Sequence, residues 1–261
     1  MNAESFALMH AFLLENGVKY NDSISEMVIR RNKGEAFSFS EHLSALIYAM
    51  LTNQTKWSRI VPHLPEIDEL FFFYDPKEIK QRPSTYFSDG IFNLKCGNIS
   101  TAAQMKHLHY NIQVMEKIVD DYGSMDAFIT SEPAHKIVRK ISHYRSRYKI
   151  KMLGEALAWE YVRNVGIDAC KPDTHLRRFL GGARMGCSLA PVASVEEVLG
   201  QVEVIAKENN VPQSMIDNVI WSYCADGYGQ ICTAIPKCDM CVINNFCKYP
   251  CTTQDNEQVK E

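Results

Sequence analysis

Four cysteines close together near the C-terminus constrain this chain more than any other feature. Cys232, Cys238, Cys241 and Cys247 form C-x5-C-x2-C-x5-C in the stretch CTAIPKCDMCVINNFC. Thiolates at such short spacings can converge on one centre, and four is the complement of a closed tetrahedral zinc site or of a [4Fe–4S] cluster. Cys251 follows closely enough to replace one of them. The cysteines outside the set, Cys96, Cys170, Cys187, Cys224 and Cys251, read mostly as packing residues. The N-terminal MNAESFALMHAFLLENG has no basic stretch, carries Glu4 and His10, and reads as an amphipathic helix rather than a leader. A cytoplasmic location is therefore expected, nucleoid-associated if bacterial. There, nine cysteines point to metal or buried thiols instead of disulfides.

The rest of the chain reads as helix. Ser38-Phe39-Ser40-Glu41 has the form of a capping box, and Leu43, Leu46, Ile47, Met50 and Leu51 follow at helical spacing. Thr101 to Gln104 repeats the box ahead of Met105, Leu108, Ile112, Met115 and Val119, with Gly123 as the stop. Leu153 to Val165 is a further helix ended by Gly166. Ser194 to Glu197 caps another, and Pro212 opens the last. Phe71 to Tyr74 reads as a buried helix end, with a short strand as the alternative. Sustained strand-like alternation is absent, so the expected fold class is all-α. The 261 residues allow one large domain or two small ones. No apolar run of about 18 residues is present to span a membrane, and the polar tail from Thr252 is expected to be disordered.

Charge is spread unevenly. Lys and Arg number 28 against 31 Asp and Glu, a net charge of −3. That excludes a generally basic, DNA-coating protein and leaves room for a local basic surface. Residues 136–151, KIVRKISHYRSRYKIK, hold Lys136, Arg139, Lys140, Arg145, Arg147, Lys149 and Lys151 with no acid among them, and Tyr144 and Tyr148 interleaved. Cations neutralise phosphates and release counterions, and aromatic faces stack on exposed bases. Alone, the plainer reading is a solvated helix face. Position favours the functional one, because the run leads into a turn, a helix and then Lys171-Pro172-Asp173-Thr174-His175.

Over Ile150 to Arg178 the chain resembles the helix-hairpin-helix DNA glycosylase superfamily, the group of endonuclease III and the 8-oxoguanine glycosylases. In that family a Gly-rich hairpin enters a helix, a short loop follows, and a catalytic aspartate stands in a Val/Pro-Asp-Thr-His context. Lys171 to His175 matches that context, and Arg178 matches an arginine often found five residues after the aspartate. Leu51-Thr52-Asn53-Gln54-Thr55 resembles the Leu-Ser-x-Gln segment, whose glutamine fills the gap left by an extruded base. Ile220 to Cys232 resembles the helix leading into the first cluster ligand, and the four cysteines complete the endonuclease III-like pattern. The resemblance spans about residues 40 to 247.

The resemblance implies two helical domains with a cleft between them, residues 40–156 ending in the hairpin and residues 1–39 plus 157–261 carrying a C-terminal [4Fe–4S] loop. It implies Asp173 as the catalytic carboxylate. Such a group stabilises the sugar cation that forms as the N-glycosidic bond breaks, and orients or deprotonates water. The structural alternative for Asp173 is a helix N-cap, and both can hold. DNA contacts are expected from Gln54, Arg145, Arg147, Lys149, Lys151, Gly154, Arg178 and Lys237. The cluster ligands are expected to be Cys232, Cys238, Cys241 and Cys247, with iron–sulfur favoured over zinc. The partner is double-stranded DNA with a damaged or mismatched base, flipped out of the stack, and a monomer is expected. His175 is read as structural. Tyr48, Trp57, Trp159 and Trp221 are candidate pocket walls, each with a core role as the plainer reading.

Three departures shape these expectations. The family hairpin reads Leu-Pro-Gly-x-Gly, whereas Ile150-Lys151-Met152-Leu153-Gly154 keeps only the second glycine, so Lys149 and Lys151 are candidates to supply the lost phosphate contacts. Bifunctional members place a Schiff-base lysine two residues after that glycine. Here Ala156 stands there with Glu155 before it, which implies a monofunctional enzyme using water. The first two cysteines are separated by five residues where the family usually has six, and TAIPK offers DNA only Lys237. The alternatives are a bifunctional enzyme with a lysine from elsewhere, and an inactive iron–sulfur DNA-binding module.

Overall fold

Capping chemistry and apolar periodicity place most of the helices. The structure, a computed structural model, describes residues 2–18 and 22–249. Cys251 and the tail from Thr252 lie outside the described residues. Within them no strand occurs, and no helix is long and apolar enough to cross a membrane. The chain divides into two compact units, Met1–Tyr20 with Pro172–Glu261, and Asn21–Lys171.

The first unit holds α1 (Ala3–Glu15), α13 (Thr174–Leu180), α14 (Val195–Asn209) and α15 (Gln213–Cys224). Ile216, Val219, Ile220 and Tyr223 of α15 are buried with Met9 and Leu13 of α1 and Val198, Val202 and Ile205 of α14. The Ser194 box forms as expected, its hydroxyl accepting from the Glu197 N–H while Glu197 accepts from the Ser194 N–H.

The second unit holds α2 (Asp22–Asn32), α3 (Phe39–Leu51), α4 (Trp57–Ile60), α5 (Leu64–Leu70), α6 (Pro76–Lys80), α7 (Ser84–Asn93), α8 (Thr101–Lys106), α9 (Leu108–Tyr122), α10 (Met125–Thr130), α11 (Ala134–Ser142) and α12 (Glu155–Asn164). Leu43, Leu46, Ile47 and Met50 of α3 are fully buried, each stabilising by about 1.5–3 kcal/mol. The Ser38 capping box is formed.

The expected division at residues 39/40 and 156/157 differs from the observed one because α2 and α12 stay with α3. Gly166 has φ +77°, and a Cβ there would lie 2.3 Å from the Met27 carbonyl oxygen, so only glycine allows the approach. Arg31 then reaches the Val165 carbonyl at 2.8 Å. Two local expectations are corrected. Thr101 caps nothing: it is the first residue of α8, and its hydroxyl accepts from the Asn98 N–H. Its predicted long helix breaks at His107 into α8 and α9. Phe71 is the buried helix end expected, as the C-cap of α5, but Phe72, Phe73 and Tyr74 continue neither helix nor strand, because they take φ of 51°, 49° and 62°. Three successive left-handed residues cost roughly 1–2 kcal/mol each, an outlay associated with functional positions.

A polar network sits inside this unit. Fully buried His42 shares a hydrogen bond between its Nδ1 and the Tyr161 hydroxyl (2.8 Å), while its Nε2 faces Asp126 at 3.4 Å. Arg31 binds the same carboxylate at 2.7 Å. Burial pushes the His42 imidazole below its usual range, against the opposing pull of Asp126. Between the depressed folded value and the ordinary range near 6.5, the unfolded chain takes up a proton that folded His42 refuses, so stability falls as pH drops through that window. Urea melts should be level above about pH 7 and weaken towards pH 5, with the slope flattened in His42→Gln. A wild-type midpoint independent of pH would contradict the assignment.

Candidate active site

The hairpin is built from a strongly amphipathic helix and two apolar anchors. Ile137, Val138 and Ile141 of α11 face the core, and Lys136 and Arg139 face out. The chain then reverses, with the Ile150 N–H donating to the Ile141 carbonyl at 2.9 Å, and Ile150 and Leu153 buried. Fully buried Asn111 of α9 binds both backbone groups of Lys151, its Oδ1 accepting at 2.8 Å and its Nδ2 donating at 3.0 Å. Asn111 was not anticipated from sequence, although its position three residues after Leu108 on an apolar stripe is the signal that marks it.

Met152 occupies the place of the missing glycine and holds φ +62°. The turn is therefore left-handed without the residue that favours that conformation. Gly154 is the N-cap of α12 at φ −76°, ψ 174°, with no side-chain cap and open space beyond its Cα. The leading N–H groups of α12 form the kind of terminus that accepts a phosphate. Met152→Gly should relieve the strained φ at little entropic cost, stabilising by up to about 1 kcal/mol. It should also tighten binding to labelled duplex DNA, and a lower melting temperature would contradict this.

The basic run is less uniform than its sequence. Arg145 and Lys151 are exposed, over the rings of Tyr144 and Tyr110 respectively. Arg147 is tied to Asp121 at 2.7 Å, Lys140 to Glu132 at 2.9 Å, and Lys149 donates to the Leu153 carbonyl at 2.5 Å. Acids outside the run thus interrupt it in space. Tyr144 is exposed and can stack, but Tyr148 is buried against Tyr122 and Phe128 and belongs to the core. Gln54 lies just beyond α3, exposed and at φ +55°. Its turn is pinned by Asn98, which donates to the Asn53 carbonyl and to the Thr55 hydroxyl.

Positions separated by four on a helix share a face. Ala156, Glu160 and Asn164 are such a row on α12, with Ala156 exposed. Glu160 and Asn164 line a cavity of about 400 Å3 within the second unit. Ser40, Ser44 and Tyr48 of α3 and its C-cap Thr52 line it as well, together with Trp57, Asp68, Phe73 and Tyr74. Tyr48 and Trp57 are thus pocket walls. Trp159 is a core residue, and Trp221 packs on His175 and Tyr228. Burial pushes the Glu160 carboxyl up, but Lys171 and Arg163 outweigh it and hold it below its ordinary range.

In the first unit Asp173 is the N-cap of α13. Its Oδ1 accepts from the His175 N–H at 2.8 Å and from the Leu176 N–H at 3.2 Å. Both bonds fall on one oxygen, and Oδ2 makes no hydrogen bond among the described residues. Arg178, one turn on, donates to His175 Nδ1 at 3.2 Å and to the Cys232 carbonyl at 3.3 Å, tying α13 to the cysteine loop. Lys237 is exposed on that loop.

Cys232, Cys238, Cys241 and Cys247 line one small cavity with Arg184 and Tyr249. Donors point at the sulfurs: Arg184 at Cys232 Sγ (2.7 Å), the Tyr223 hydroxyl at Cys241 Sγ (3.3 Å) and the Tyr249 N–H at Cys247 Sγ (3.4 Å). Arg184 also binds the carbonyls of Cys232, Thr233 and Ala234. Such donors suit thiolates, so the residues fit a thiolate-ligated group. Among the described residues no three His, Cys, Asp or Glu side chains converge closely enough to hold one metal ion. Cys96, Cys170 and Cys224 are buried, and Cys187 is partly so.

No family model and no curated protein matches the chain. In structure it is similar to the Methanocaldococcus jannaschii 8-oxoguanine glycosylase/lyase in complex with a 15mer DNA containing 8-oxoguanine, at 20% identity and a TM-score of 0.55, over 78% of this chain and 87% of that chain. It is also similar to the 8-oxoguanine DNA glycosylase of that organism, at 19% identity and a TM-score of 0.53, over 78% of this chain and 84% of that chain. The chain shares the all-α fold of these two structures.

Proposed function

We propose that the chain is a monofunctional DNA glycosylase of base excision repair, acting on double-stranded DNA that carries a damaged or mismatched base. The observation that carries the reading is Asp173, held by its cap bonds through one oxygen, with no hydrogen bond to the other among the described residues, on the fold of known glycosylases. Two backbone N–H bonds fix the carboxylate without using it up. In the proposed reaction the C1′–N bond breaks, its electron pair leaves with the base, and positive charge gathers on the sugar above Asp173. Water then bonds to C1′ and gives its proton to the carboxylate.

The hairpin and Lys151 are proposed to hold the backbone phosphates, Arg145 and Tyr144 to extend that surface, and Gln54 to fill the gap in the stack. The cavity bounded by Tyr48, Trp57 and Glu160 is proposed for the flipped base. Exposed Ala156 on the first turn of α12 supports water over lysine as the nucleophile. The cysteines are proposed to hold a [4Fe–4S] cluster. A cluster binds each cysteine at a different iron, so it asks for thiols ringed round a cavity, whereas zinc asks for four sulfurs on one point. Bound there, it would brace the loop between α15 and Tyr249. Treating a reaction mixture with borohydride separates the two chemistries: a monofunctional enzyme leaves no covalent DNA adduct, and a trapped adduct would show an amine nucleophile.

A further inference from the structure

The cavity in the second unit sets one uncompensated carboxylate among aromatic walls. Asp68 accepts the hydroxyls of Tyr48 and Tyr74 on the same oxygen, at 2.6 Å each, and makes no ion pair among the described residues. The other carboxylates there are neutralised, Glu41 by Arg30 and Glu160 by Arg163 and Lys171. Trp57 stands edge-on to Tyr48 with ring centroids 6.3 Å apart, and Tyr74 lies 6.0 Å from Tyr48. Phe73, 70% exposed, stands among the lining residues on the left-handed turn that also delivers Tyr74. Aromatic faces attract cations, and a carboxylate without a partner adds to that attraction.

We propose that this cavity receives a purine made positively charged by N-alkylation. The about 400 Å3 available is enough for such a base. The proposal rests on the glycosylase reading only for how the base arrives. An alkylated purinium is also a leaving group that needs no added proton: when C1′–N breaks, the electron pair neutralises the ring. The departing base is then neutral, loses the attraction that held it, and leaves. Such a substrate suits machinery made of a carboxylate and a water.

The test begins with binding alone. The probe is 3,9-dimethyladeninium, a fixed cation with methyl in place of the sugar, titrated against tryptophan fluorescence beside neutral 9-methyladenine. The cation should bind about tenfold more tightly or better. Asp68→Asn, which keeps an acceptor oxygen for the two tyrosines, should erase the preference, and Phe73→Ala, an exposed position, should weaken binding of both. Equal affinity for the two probes, or a preference that survives Asp68→Asn, would overturn the proposal. Duplexes carrying single 7-methylguanine or 8-oxoguanine residues supply the second arm. Faster release of 7-methylguanine supports it, and faster release of 8-oxoguanine overturns it. Cation binding without release from any duplex would keep the pocket assignment and remove the glycosylase reading. Release without cation preference would do the reverse.

Discussion

Asp173→Asn should lower base release by roughly 100- to 10,000-fold while helix content and DNA affinity stay near wild type. The separation follows from the observed cap role of the side chain and its proposed role at the sugar. As a cap it needs only an oxygen that accepts from His175 and Leu176, and asparagine supplies one at little cost. As the stabiliser of a sugar cation it needs a negative charge, which asparagine lacks. Asp173→Ala should behave differently, losing release and also about 1 kcal/mol of stability with the cap. The pair of variants thus divides the structural from the chemical contribution by melting temperature and single-turnover release. An Asn variant that releases base at the wild-type rate would leave Asp173 as a cap alone.

Arg184→Met should destabilise the first unit by roughly 3 kcal/mol, the largest loss of stability expected from a single substitution outside the apolar core. Arg184 is 4% exposed, and its guanidinium serves three successive carbonyls and the Cys232 sulfur. Its own carbonyl accepts from the Lys248 N–H at 2.7 Å, so both ends of the cysteine segment meet at this residue. Methionine fills much of the space but strands those acceptors. Lysine should not rescue, because a point charge cannot reach several acceptors as a planar fork does. Hydrogen exchange should show the loss concentrated in residues 231–249, together with a loss of the iron and sulfide of the proposed cluster. A melting temperature within about 1 °C of wild type would contradict the assignment.

The parts of this architecture that were legible in the sequence are those written in local chemistry. The boxes at Ser38 and Ser194, the stop at Gly123 and the start after Pro212 appear where side chains and φ demand them. Asp173 was legible as a cap because that role depends on its immediate neighbours. What the sequence hid depends on partners far along the chain. Arg147 and Lys140 look like free cations until Asp121 and Glu132 fold against them. Tyr148 looks like a stacking residue until Tyr122 and Phe128 enclose it. Asn111 and Arg184 carry no motif, yet each fixes a loop that does. Met152 shows the converse, since the residue that departs from the glycine pattern takes a left-handed φ of 62° all the same.

The most direct test is single-turnover base release by the wild-type chain over a panel of duplexes, each with one alkylated, oxidised, deaminated or mismatched base. Products should be divided between neutral and alkaline work-up. A damaged base should be released, with strand breakage appearing only after alkali opens the abasic site. Strand cleavage at neutral pH would contradict the monofunctional mechanism, and intact bases across the panel, with DNA still bound, would contradict the enzyme itself.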